Sequence, residues 1–154
     1  MVLNDVLTKQ NVINALQFKN ELHEIPMELK SKIMKIRLAY KSIKEELDTK
    51  IASFYEANVS DELRELSGKE ERTDEENARL TELDLEFKEM YQKFLEEEGD
   101  REVTISCVDT FTEEEFDDIL QVNCSGKAKI AVNGKLTDVD VLTIMESVYV
   151  LFVI

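Results

Sequence analysis

Residues 25–47, IPMELKSKIMKIRLAYKSIKEEL, decide how this chain is read. Leu29, Ile33, Ile36, Tyr40, Ile43 and Leu47 recur at steps of 4, 3, 4, 3 and 4, a stripe along one side of an α-helix. A stripe so narrow must be covered, by this chain, by a second copy or by another protein. The pattern runs on through Ile51 and Phe54, and neither Gly nor Pro interrupts it before Gly68. Pro26 suits the first turn of the helix, where a missing N–H costs nothing.

A second stripe offers a cover. Thr73-Asp74-Glu75-Glu76 has the form of a capping box, with Glu three residues after Thr. Behind it Leu80, Leu83, Phe87, Met90 or Tyr91, and Phe94 repeat at helical spacing up to Gly99, a common C-terminal stop. Ser60 can recap a short intermediate helix at DELREL, and SGKEER (67–72) is the first clear turn. Lys30, Lys32, Lys35, Arg37, Lys41 and Lys44 flank the first stripe; Glu82, Asp84, Glu86, Glu89 and Glu96 to Glu98 flank the second. Opposite charges beside matching stripes predict an antiparallel helical hairpin over 27–98.

Outside the hairpin the period changes. Val2 to Leu7 is read as a short strand, followed by a helix capped by Thr8 that turns Val12, Ile13, Leu16 and Phe18 inward. REVTISCVDT (101–110) alternates like a strand. TEEEFDDIL opens on a second capping box, Thr112 to Glu115. AKIAVNGKL (128–136) is a hairpin signal centred on Asn133-Gly134. Thr137-Asp138-Val139-Asp140 is read as the start of a final helix, apolar almost all round and buried on most sides. The expected fold is α+β and mainly helical: one domain over 1–154, with the hairpin set on a small α+β body built from 1–25 and 99–154 and holding a short antiparallel sheet.

The composition limits function. The net charge of −15 in 154 residues is concentrated in 60–100, where six basic residues face sixteen acidic ones. A phosphate backbone requires a clustered positive footprint, so direct nucleic-acid binding is not expected. Cys107 and Cys124 follow no metal spacing and fit free thiols in a reducing compartment. MVLNDVLTKQN lacks the features of an export signal. The apolar end SVYVLFVI is too short to cross a bilayer and reads as the end of a core element.

No catalytic constellation is present in the pattern. His23 is the single histidine and sits beside Glu24 where a helix end is expected. Glu113 to Glu115, Asp117-Asp118 and Asp138/Asp140 depart from the calcium-loop pattern, and the SGK of 125–127 lacks the upstream glycine of a phosphate loop. The expectation is a non-enzyme with no cofactor and no metal. Glu70, Glu71, Asp74, Glu75, Glu82 and Glu86 are the candidate partner-binding residues, acting by charge on a protein with a basic surface.

NVINALQF (11–18), followed by LKSKIMKIRLAYKSIKEELDTKIASFYEAN (29–58), resembles a family of small, functionally uncharacterised tailed-phage proteins. In these a similar Asn-Ala-Leu segment precedes a Lys-rich helix, an acidic loop and a second helix. The resemblance spans about residues 11–98, and the segment 128–154 departs from it. It implies a phage origin, and with it a place in the host cytoplasm, and transfers no catalytic residue. Two roles remain: a stoichiometric inhibitor of a host nucleic-acid-handling or defence protein, or a virion assembly subunit that oligomerises through its helices.

Overall fold

The computed structural model describes residues 1–18, 24–132 and 134–153. It is mainly helical α+β. Among the described residues six helices, α1 (Leu3–Asn14), α2 (Met27–Asn58), α3 (Asp61–Gly68), α4 (Asp74–Gly99), α5 (Glu113–Val122) and α6 (Val141–Phe152), accompany one antiparallel hairpin, β1 (Lys127–Val132) with β2 (Lys135–Asp140). The chain divides into two compact units, one formed by Met1–Ile43 with Glu102–Ile154, the other by Lys44–Arg101. The division falls inside α2, which contributes its first part to one unit and its last part to the other.

In the first unit α2 is the central element. Leu29, Ile33, Ile36 and Tyr40 are buried in one cluster with Val6, Val12 and Ile13 of α1, Ile119 of α5, and Val141, Ile144, Met145, Val148 and Phe152 of α6. At about 1.5–3 kcal/mol for each fully buried large side chain, this burial dominates the local energetics. The first half of the stripe is therefore covered by α1, α5 and α6, and the expected cover by α4 is corrected for residues 29–43. The charges follow the packing. Lys32 Nζ binds Glu115 of α5 at 2.9 Å. Arg37 donates to the carbonyls of Ile13 (2.8 Å) and Leu16 (3.0 Å), and its guanidinium lies 4.5 Å from the Phe18 ring centroid. Arg37 thus binds one carbonyl in the last turn of α1 and one just beyond its end.

Three further expectations are corrected. The strand expected over Val2 to Leu7 is helical: Leu3 and Val6 are fully buried one turn apart, and Thr8 Oγ1 donates back to the Asn4 carbonyl at 3.0 Å in mid-helix. Residues 101–110 form no strand, only an isolated bridge from Glu102 to Val2. Val103, Ile105 and Cys107 still pack on the core, as their alternation predicts, but the segment has no ladder partner. Residues 137–140 lie in β2, with Asp138 opposite Lys129 and Asp140 opposite Lys127. Opposite charges thus face each other across the ladder, a favourable arrangement for a hairpin, and α6 starts one residue later, with Asp140 Oδ1 accepting from Leu142 N–H at 2.9 Å. The hairpin turn lies where expected: Gly134 has φ +77°, a backbone open to glycine, while Asn133 lies outside the described residues. Pro26 sits just before α2, its carbonyl accepting from Lys30 N–H at 3.0 Å.

In the second unit the last part of α2 packs with α3 and α4. Phe54 stacks on Phe94 with ring centroids 4.6 Å apart and meets Phe87 and Tyr91 at 5.9 Å each. Leu47, Leu63, Leu66 and Phe87 are buried. Within this unit the hairpin is as expected, and Lys50 reaches Glu98 at 3.4 Å.

Candidate protein-interaction surface

Two caps and one arginine build the turn of the second unit. Ser60 Oγ accepts from Leu63 N–H at 3.2 Å to start α3. Thr73 and Glu76 exchange backbone and side-chain hydrogen bonds, both 3.2 Å, to start α4. Between them Arg72 donates to the Leu66 and Lys69 carbonyls, 3.0 Å each, and to Asn77 Oδ1 at 2.9 Å. The connection is fixed by its own side chains, and its carboxylates project from an ordered base.

Nine basic and twenty acidic residues lie within Lys44–Arg101, a net −11, which leaves −4 for the rest of the chain. Glu70 and Glu71 occupy the connection, Asp74 and Glu75 the first turn of α4, and Glu82 and Glu86 its exposed length; all six are exposed. Glu75, Glu82 and Glu86 share one face at steps of seven and four, about 16 Å from end to end at 1.5 Å per residue. The six thus form an acidic turn and an acidic ridge. Glu70, Glu71, Asp74, Glu75 and Glu86 make no ion pair among the described residues. Glu82 pairs with Arg79 at 2.9 Å, and Arg79 also holds Glu62 bidentately at 2.8 and 3.1 Å. Hydrogen bonding to Arg79 holds the Glu62 carboxyl below its usual range, and the Lys69 ammonium does the same for Glu76. Acids in the first turns of α3, α4 and α5 also suit the positive ends of those helices.

No group of three or more His, Cys, Asp or Glu among the described residues is placed to hold a metal ion. Glu115 caps α5 and binds Lys32, Asp140 caps α6, and Glu113 accepts the Tyr149 hydroxyl at 2.7 Å. Cys107 and Cys124 are free. Burial, together with the negative charge of Asp109, pushes the Cys107 thiol up, away from a reactive thiolate. His23 lies outside the described residues. No helix among the described residues is long and apolar enough to cross a membrane.

Two concave surfaces were not legible in the sequence. In the second unit a groove of about 790 Å³ is lined by Tyr55, Leu63, Phe87 and Tyr91 among others. Tyr55 stands beside Phe54, off the 3–4 stripe, which is why periodicity passes over it. In the first unit a groove of about 440 Å³ runs between α5 and α6, lined by Phe116, Leu120, Leu142, Met145, Tyr149 and Val150. The final helix was expected to be buried on most sides; instead Leu142, Tyr149 and Val150 are 49%, 44% and 78% exposed. The core accepts one face of α6, because α1, α5 and β2 cover that side alone.

No family model, curated protein or solved structure matches this chain.

Proposed function

We propose that this protein acts without chemistry of its own, as a stoichiometric binder of a protein with a basic surface. Its acidic bundle occupies a groove that otherwise holds nucleic acid and competes with that ligand. The resemblance of residues 11–98 to small tailed-phage proteins makes the natural setting an infected host cell, with a host nucleic-acid-handling or defence protein as the target in its cytoplasm. One observation carries this reading: a net −11 sits in Lys44–Arg101, and the carboxylates of Glu70, Glu71, Asp74, Glu75 and Glu86 are exposed and free of ion pairs among the described residues. Such a surface raises the association rate with a positive partner and excludes negative ones.

The test is capture from host extract at low salt, with the bound protein identified by mass spectrometry. The expected result is a protein with a basic, nucleic-acid-binding surface, released as ionic strength rises and lost when Glu70, Glu71, Glu75, Glu82 and Glu86 become Gln and Asp74 becomes Asn. Failure to retain any basic protein at low salt rejects the reading.

A second reading is favoured by a different feature, the exposed Leu142, Tyr149 and Val150 of α6. Exposed apolar side chains grouped in a groove suit a subunit that assembles, as a head–tail or capsid-associated virion component does.

A further inference from the structure

Two surfaces of the first unit are apolar and carry opposite charge. On α2, Met34 and Leu38 are 54% and 57% exposed and lie on the side opposite Ile33, Ile36 and Tyr40. Met27, seven residues before Met34, continues their stripe. Lys30 and Lys35 flank it, and neither makes an ion pair among the described residues. The groove between α5 and α6 has the complementary character: its lining is apolar apart from Glu146, Glu113 accepts the hydroxyl of the lining Tyr149, and the exposed Asp117 follows the lining Phe116 on α5. Asp117 and Glu146 make no ion pair among the described residues, and Glu113 only accepts the Tyr149 hydroxyl.

We propose that the α5/α6 groove receives the outer face of α2 from a second copy of this chain. Met34 and Leu38 enter between Leu142 and Val150, and the flanking lysines meet the carboxylates on the rim. Length agrees with charge: at about 1.5 Å per residue the Met27–Leu38 stripe spans about 16 Å and the Leu142–Val150 edge about 12 Å. The two patches differ, so a pair of copies either exchanges both contacts about a two-fold axis or repeats one contact around a ring. The proposal stands apart from the acidic-surface reading, whose charges lie in the other unit, and an assembly of this kind would display several acidic bundles at once.

Light scattering across a dilution series tests it. The wild-type mass should rise above that of a single chain with concentration. Met34→Glu with Leu38→Glu on the helix face, and Leu142→Lys with Val150→Lys in the groove, change only exposed positions, so circular dichroism should match wild type. Each double variant should remain monomeric to at least ten times the wild-type midpoint concentration. An equimolar mixture of the two should regain pairs, because each retains the patch that the other lacks. Lys35→Glu, which leaves the apolar stripe intact, should weaken association severalfold. A wild type that is monomeric throughout, association that survives the α2 variant, or a mixture as monomeric as its components each overturns the proposal.

Discussion

Asn123 holds Gln17 by both of its backbone groups: Oδ1 accepts the Gln17 N–H at 2.8 Å, and Nδ2 donates to the Gln17 carbonyl at 3.1 Å. The same Nδ2 donates to the Ile119 carbonyl at 2.9 Å, and the side chain is 2% exposed. One amide thus ties the chain leaving α1 to the last turn of α5, across 106 residues of sequence. Its burial is tolerable because three of its four hydrogen-bonding positions are filled. Asn123→Ala should cost about 1–3 kcal/mol, the usual penalty for leaving such groups unpaired. Chemical denaturation should show a lower midpoint with an unchanged slope.

Ile36 decides which side covers the first half of α2. It is fully buried among residues of α1, α5 and α6. Ile36→Ala should destabilise by about 2–5 kcal/mol. In a spectrum resolving aromatic signals, Phe111 and Phe152 should shift strongly and Phe87 little. A dominant change at Phe87 would restore the cover by α4.

The two capping boxes lie in different units, so they offer a matched pair. Thr73→Ala and Thr112→Ala each remove the hydroxyl that accepts an N–H at the start of a helix. Each should cost about 1 kcal/mol. Amide exchange should place the loss in α4 for the first and in α5 for the second.

Alkaline pH should act through Tyr40. Its hydroxyl donates to Asp109 Oδ2 at 2.8 Å, and Lys9 Nζ binds the same oxygen at 3.3 Å. Burial, then the hydrogen bond and charge of Asp109, push the phenol far above its ordinary value. The folded pKa lies above the unfolded one, so the stabilisation is complete below about pH 10, the unfolded tyrosine value, and is lost as pH rises past it. Tyr40→Phe should flatten the fall in stability above that pH. Tyr91 and Tyr149 are also raised, so some slope should persist.

Much of the fold was readable where the signal is local. The boxes at Thr73 and Thr112, the stop at Gly99 and the turn at Gly134 each depend on residues a few positions apart, and each occurs as expected. The errors arose where the partner decides. Val103, Ile105 and Cys107 alternate but find no adjacent strand. Asp138 and Asp140 resemble a helix start but face lysines across a hairpin. For the candidate surface, the positions of the acids were legible because charge and exposure go together. The grooves at Tyr55 and at Leu142–Val150 were not, since concavity depends on which helices meet.

The sequence by itself determined that α2 is a long helix with one apolar stripe, that α3, α4 and α5 after it start on the caps Ser60, Thr73 and Thr112, and that most of the negative charge follows residue 60. Those are matters of period, hydrogen-bonding residue type and composition. Only the tertiary structure decided what covers the stripe. A 4–3 repeat specifies that a face must be buried and leaves its partner open, and exposed opposite charges contribute too little to choose one. The choice fell to close packing: α1, α5 and α6 take Leu29 to Tyr40, α4 takes the aromatic end at Phe54, and one outer face of α6 remains uncovered.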